Sequence, residues 1–236
     1  AGAMRRLKER GFTPDIILAH PGWGEAMFAK EIYPNAKLLS FIEYYYATQG
    51  QDVNFDKEFG KTKLNEDMRI LLKNANSLFA LETMDWGVSP TAWQRDTNPA
   101  VYRDKISVIH DGIDTDRLKP DPNAQFAVPD GPILSAGDEV VTFVNRNLEP
   151  LRGFHVFMRA LPAVLNARPA ARVVIVGAEG KGYGGGAGGW KERMLAELGD
   201  RLDTSRVHFV GRVDYPAFVR LLQVSMAHVY LTYPFV

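Results

Sequence analysis

The chain has 236 residues, 46% hydrophobic and 24% charged, with 28 basic and 28 acidic side chains and a formal net charge of zero. That is ordinary for one large or two small globular domains. With no global field to draw the chain to nucleic acid, no nucleic-acid partner is expected, and any anion recognition must be local. Cysteine is absent, which excludes disulfides, thiolate nucleophiles and cysteine zinc sites. No run of about 18 apolar residues and no secretory h-region occurs, so a cytoplasmic location is expected.

Apolar runs of strand length alternate with helical patterns along the chain. AGAMRRLKERGF reads as the last turns of a helix ended by Gly11. DIILAH (Asp15 to His20) is a strand, EAMFAKEIY a short helix, and KLLSFIEYY (Lys37 to Tyr45) a second strand. Residues 49 to 63 read as a polar loop. LNEDMRILLKNA (Leu64 to Ala75) has a helical apolar period, and SLFALE (Ser77 to Glu82) reads as a third strand. Ser89-Pro90 reads as a helix start, serine capping and proline at the first helical position. KISVIH (Lys105 to His110) is a fourth strand.

From Leu118 to Gly137 the composition turns to Pro, Gly and Asp with little periodicity, as in a linker. Alternation then resumes. VVTFVN (Val140 to Asn145) is a strand and residues 153 to 167 a helix. RVVIVG (Arg172 to Gly177) is a buried-type strand, followed by a helix over residues 190 to 198. VHFVG (Val207 to Gly211), a helix over 215 to 224 and HVYLTY (His228 to Tyr233) complete the series. Buried β-runs between helices imply parallel sheets covered on both faces. The expected fold is α/β, with parts of two Rossmann-like domains: residues 1–119, a linker at 120–137, and residues 138–236.

VNRNLEPLRG holds two arginines, Arg146 and Arg152, after a buried-type strand and before a helix. Ligands of open α/β sheets bind at the carboxyl ends of strands. Gly153 lets the backbone come close, and the next helix N-terminus favours anions. Two guanidiniums there suit phosphate oxygens; the alternative is a pair of solvated loop charges. VIHDGIDTDRLKP turns sharply at Gly112. Asp114-Thr115-Asp116 matches a metal-diphosphate D-x-D pattern, but aspartates are common in turns, and no metal is expected. Gly180-x-Gly182-x-x-Gly185 matches the dinucleotide fingerprint three residues late, within a glycine-rich stretch that reads better as a flexible loop. FIEYYY (Phe41 to Tyr46) reads as strand core more readily than as a stacking surface.

In order, DIILAHPGWG, VIHDGID, FVNRNLEPLRGFHVFMRALP, RVVIVG, VHFVGRV and HVYLTYPFV resemble family 4 glycosyltransferases of the GT-B fold across nearly the whole chain. The resemblance implies transfer of a sugar from a nucleotide-diphosphate sugar to a hydroxyl acceptor, with retention. A basic pair, here Arg146 and Arg152, would stabilise the leaving diphosphate without a metal. Arg152 stands where lysine is usual, a change that keeps the charge and adds donors. Gly153 and the backbone around Gly211, Arg212 and Val213 would meet the donor, and His20 the transferred sugar or the acceptor. Gly22, Trp23, Gly24 and Glu43 would lie on the acceptor side, with Glu82 a further candidate there. No cofactor is implied, since a UDP- or GDP-sugar is a substrate. Peripheral membrane association of a full-length enzyme is compatible with the family.

The resemblance also implies that the family's opening strand and glycine loop precede residue 1 and its acidic segment follows residue 236. The chain therefore reads as the middle of an enzyme, both sheets incomplete, with activity to be sought in a full-length parent. Two other functions stay open: a noncatalytic nucleotide or sugar-phosphate binding module on the same scaffold, and an NAD-type Rossmann oxidoreductase.

Overall fold

The computed structural model describes residues 1–180, 182 and 188–233. These fold into two compact units, Ala1–Gly112 and Ile113–Tyr233.

The first unit begins with α1 (Gly2–Glu9) and runs through β1 (Ile16–Ala19), a 3-10 turn (Pro21–Trp23), α2 (Ala29–Ile32) and β2 (Lys37–Phe41). α3 (Leu64–Leu72), α4 (Asn74–Thr83), β3 (Trp86–Ser89), α5 (Ala92–Thr97), α6 (Ala100–Arg103) and β4 (Ile106–Val108) follow. The sheet order is β1-β2-β3-β4 and every pairing is parallel. Helices supply the crossovers that parallel strands require.

Two expectations change here. Ser77 to Glu82, expected as a strand, lies in α4. Asn74, Ser77, Ala80 and Leu81 are its buried residues, a helical spacing, and a short apolar run does not by itself distinguish helix from strand. Asn74 anchors this helix by exchanging two hydrogen bonds with the Tyr46 backbone, each 2.8 Å. Glu82 thereby sits on a helix rather than at a strand end, and accepts a hydrogen bond from the Tyr102 hydroxyl. The cap of the next helix also moves by two residues: Thr91 accepts from the Gln94 N–H, while Ser89 stays in β3 and donates to the Ile42 carbonyl at 2.7 Å.

The second unit opens with an antiparallel hairpin, β5 (Gln125–Ala127) and β6 (Ile133–Ser135). β7 (Val140–Asn147), α7 (Phe154–Ala167), β8 (Arg172–Ala178), α8 (Trp190–Leu198), β9 (Val207–Gly211), α9 (Tyr215–Val224) and β10 (Ala227–Val229) follow. The sheet is parallel, in the order β10-β7-β8-β9. Winding runs outward from β7 to β9 and then returns to the other side of β7, so the strand order reverses between β7 and β10.

Side chains of β8 alternate between two cores. Val173 and Ile175 join Phe143, Phe157 and Met158 on the face covered by α7 and α8, while Val174 and Val176 join Leu221 and Val224 of α9 on the other. The hairpin packs on that second face through Phe126, Val128 and Leu134. Residues 120–137, expected as a linker on composition, thus contain two short strands belonging to this unit. Strands of three residues between proline-rich turns are too brief to register as periodicity. The α/β class with parallel sheets is borne out.

Candidate functional site

In the second unit the strands' carboxyl ends carry the basic residues. β7 and β8 pair in register through Val144, and the register then shifts before Asn147. Such irregularities re-aim side chains at strand ends. Just there, Asn145 and Arg146 line an open cleft of about 380 Å³, together with Val176 of β8 and with Arg212, Val213 and Asp214, which connect β9 to α9. Gly211 ends β9 with φ +66°, a left-handed conformation that glycine adopts without a Cβ penalty. Asp214 caps α9 by accepting the Ala217 N–H at 2.8 Å, so the turn is fixed at its far end.

Arg152 occupies a different setting. It ends a 3-10 turn (Pro150–Arg152), its side chain is only 14% exposed, and its Nε lies 3.9 Å from Oε1 of the buried Glu149. The two form an ion pair three residues apart, with the carboxylate almost wholly buried. Gly153 follows with φ +72°, and a Cβ there would stand 2.4 Å from Cβ of Leu231. This glycine is therefore required twice, by its backbone angle and by its close approach to the segment after β10.

Among the described residues, the structure brings Arg146, Arg212 and Val213 into one cleft whose lining does not include Arg152 or Gly153. Sequence reasoning missed Asn145, Glu149, Tyr215 and Phe218. Asn145 and Glu149 flank the arginines in the same short stretch and were readable as polar neighbours. That Tyr215 and Phe218 of α9 face the cleft had no sequence signal. Of the fingerprint Gly180-x-Gly182-x-x-Gly185, Gly185 lies outside the described residues. Gly182 packs against the Glu149 carboxylate, which a Cβ there would have to displace. The Asp114 carboxylate accepts the Arg117 N–H at 3.1 Å, a turn role.

In the first unit, His20 and Glu43 meet just beyond the carboxyl ends of β1 and β2. His20 Nδ1 accepts the Gly22 N–H at 3.2 Å, so Nε2 carries the proton and donates to Glu43 Oε2 at 2.9 Å. Trp23 stacks on the imidazole with ring centroids 5.0 Å apart. Gly22 faces the same ring: a Cβ there would lie 2.8 Å from His20 Cε1. Gly24, with φ +78°, closes the turn against Asn76 of α4. Gly22, Trp23 and Glu43 therefore meet one histidine, while Gly24 packs on Asn76. In the neighbouring FIEYYY run Ile42 and Tyr44 are buried and the other four residues are partly exposed. Tyr44 is buried and donates to Asp52 at 2.6 Å, and burial followed by that carboxylate pushes its phenol well above the ordinary range.

Among the described residues, no helix is long and apolar enough to cross a membrane. The chain is 34% identical over 80 residues to a D-inositol 3-phosphate glycosyltransferase of Segniliparus rotundus, covering 34% of this chain and 17% of that protein. Its fold is similar to sucrose-phosphate synthase from Thermosynechococcus elongatus (TM-score 0.64, 15% identity, 98% of this chain and 53% of that one). It is also similar to the pneumococcal O-GlcNAc transferase GtfA, solved in complex with UDP and GlcNAc (TM-score 0.53, 11% identity, 98% and 40%). The chain thus spans less than a fifth of the curated relative and about half of the synthase. The family profile described as Glycosyl transferase family 4 group matches residues 1–118, half of the chain, and with the paired α/β units it establishes that this chain belongs to the family 4 glycosyltransferases.

Proposed function

We propose that the chain is part of a retaining, metal-independent glycosyltransferase that moves a sugar from a UDP- or GDP-sugar to a hydroxyl acceptor. The observation that carries this is the β7–α7 connection. It presents one exposed arginine, Arg146, at a strand's carboxyl end and a second, Arg152, held by Glu149, within seven residues. In the proposed reaction the bond from the sugar's anomeric carbon to the diphosphate breaks and negative charge grows on the phosphate oxygens. Two fixed guanidiniums favour that change more than they favour the intact donor. Gly153 and α7 add backbone donors at a helix N-terminus. Gly211, Arg212 and Val213 are proposed to meet the nucleotide through the cleft they share with Arg146. His20 and its surrounding residues are proposed to serve the sugar or the acceptor. The complex of GtfA with UDP and GlcNAc agrees with a nucleotide-sugar donor.

Arg146→Ala or Arg152→Ala is expected to weaken UDP or GDP binding by about 1.5–3 kcal/mol, as loss of a charge-assisted hydrogen bond does. Calorimetric affinities unchanged in both variants overturn the clamp. Turnover is tested by release of nucleoside diphosphate from a panel of donors by the full-length parent. Binding of all donors without turnover on any acceptor would favour a noncatalytic nucleotide-binding module. Activity of the parent should survive EDTA; its loss would return Asp114 and Asp116 to consideration as metal ligands.

A further inference from the structure

We propose that Glu149 is a positioning residue: its buried carboxylate holds the direction of the Arg152 guanidinium, and through that cation sets how tightly the β7–α7 loop takes a nucleoside diphosphate. Only the identity of the ligand rests on the function proposed above; the hold on Arg152 is a property of the loop itself.

The backbone of this loop is fixed without the Glu149 side chain. The Glu149 carbonyl accepts the N–H groups of Arg152 at 3.1 Å and Phe154 at 3.3 Å, and the Pro150 carbonyl accepts that of Gly153 at 2.7 Å. The Leu148 N–H donates to the Ala178 carbonyl at the end of β8, and the Tyr233 N–H, beyond β10, donates to the Leu151 carbonyl, both at 2.9 Å. These are main-chain bonds, which another residue at position 149 would supply equally. Glu149 stands at the cap position of the 3-10 turn, yet its side chain makes no capping bond, the ordinary use of a polar residue at the start of a helical turn.

A carboxylate taken out of water with no part in the turn needs a partner elsewhere. The Glu149 side chain is 5% exposed and forms its ion pair with Arg152, at 14%. Gly182 closes one side of the carboxylate by direct approach. An ion pair shielded from water is electrostatically stronger than an exposed one. The guanidinium is a planar fork, so its value to a phosphate depends on where it is aimed. The same carboxylate repels phosphate, so by charge alone Glu149 opposes an anion at this loop. Positioning and plain electrostatics therefore predict opposite signs for Glu149→Gln, which removes the charge and keeps the shape.

The test uses the full chain, with UDP and GDP as titrants. The Arg152 Nε–H resonance, identified by its loss in Arg152→Lys, is read in the nucleotide-free protein. Glu149→Gln is expected to weaken nucleotide binding about three- to tenfold, and to shift and broaden that resonance. In an Arg152→Ala background the same change should no longer weaken binding, since coupled residues are not additive. A thermal melt guards against unfolding; if Glu149→Gln melts early, Glu149→Met, of similar length and suited to a buried site, replaces it with the same expectations. Unchanged or tighter binding by Glu149→Gln overturns the positioning role. So does an equal loss in the Arg152→Ala background, which would mean that Glu149 shapes the loop, or a parent Nε–H that exchanges like a solvated arginine's. If neither nucleotide binds the parent chain, the donor-site reading falls and the resonance decides whether Glu149 holds Arg152. If nucleotide binds and Glu149→Gln leaves both affinity and resonance alone, the donor site stands and the positioning role falls.

Discussion

Gly153 illustrates how much one residue of the β7–α7 loop is asked to do. Its φ of +72° lies where a Cβ is costly, and the space a Cβ would need is held by Leu231, 2.4 Å away. Gly153→Ala is therefore expected to destabilise the protein by at least about 1–3 kcal/mol, the usual cost of a left-handed non-glycine residue, and to displace Arg152 next to it. Urea denaturation measures the first effect and UDP affinity the second; a variant as stable as the parent would show that the turn can relax. The two arginines of the loop differ for a similarly local reason. Arg146 stands exposed at a register shift, whereas Arg152 is enclosed with a buried glutamate. Their sequence spacing was plain, but the difference in their surroundings was not.

Between elements, a single carboxylate ties the first sheet together. Asp85, just before β3, accepts Lys30 Nζ of α2 and the Leu38 N–H of β2, both at 2.8 Å, and Lys37 Nζ at 3.4 Å. The Lys30 ammonium first, and the Leu38 amide second, hold its carboxyl down at about 2. Because the folded value lies below the unfolded one, the stabilisation is complete above about pH 4 and is lost as the pH falls toward 2, amounting to about 2 kcal/mol at most. Asp85→Asn should remove that step from the acid side of the stability profile; an unchanged profile would mean that the three donors find other partners. The same neighbourhood shows where sequence patterning stopped short. SLFALE has a strand's length and composition, yet Asn74, three residues upstream, pins the segment as helix through Tyr46, 28 residues away.

Across the whole molecule, the second unit carries the larger apolar cores, with fully buried Phe143, Phe154, Met158, Leu161 and Val173. The first unit has smaller clusters, and its terminal strand β1 leaves Ile16 and Leu18 two-thirds exposed. Local opening free energy follows buried apolar contact. Amides of β7 and β8 should therefore exchange slowest with solvent deuterium and those of β1 far sooner. Equal protection of β1 and β8 in a hydrogen-exchange experiment would contradict this. The contrast was visible in sequence only for the second unit, where RVVIVG is a continuous apolar run and VHFVG a further short strand pattern, each ending in glycine, and those strands appear as expected. The hairpin at residues 125–135 was hidden by its proline-rich turns.

By itself the sequence determined the α/β alternation, the parallel-strand character of the second unit and the family, because each is written in contiguous residues: apolar period, turn glycines and ordered motifs. It also placed Arg146 and Arg152 in one stretch between a strand and a helix. Only the tertiary structure decided that His20 is bound at both nitrogens by Gly22 and Glu43, that Trp23 is left exposed beside them, that Arg146 shares a cleft with Arg212, and that Glu149 holds Arg152. Most of these depend on distances across strand ends and on which neighbours exclude water. A one-dimensional pattern names the groups that can meet, and the packing of the sheet selects those that do.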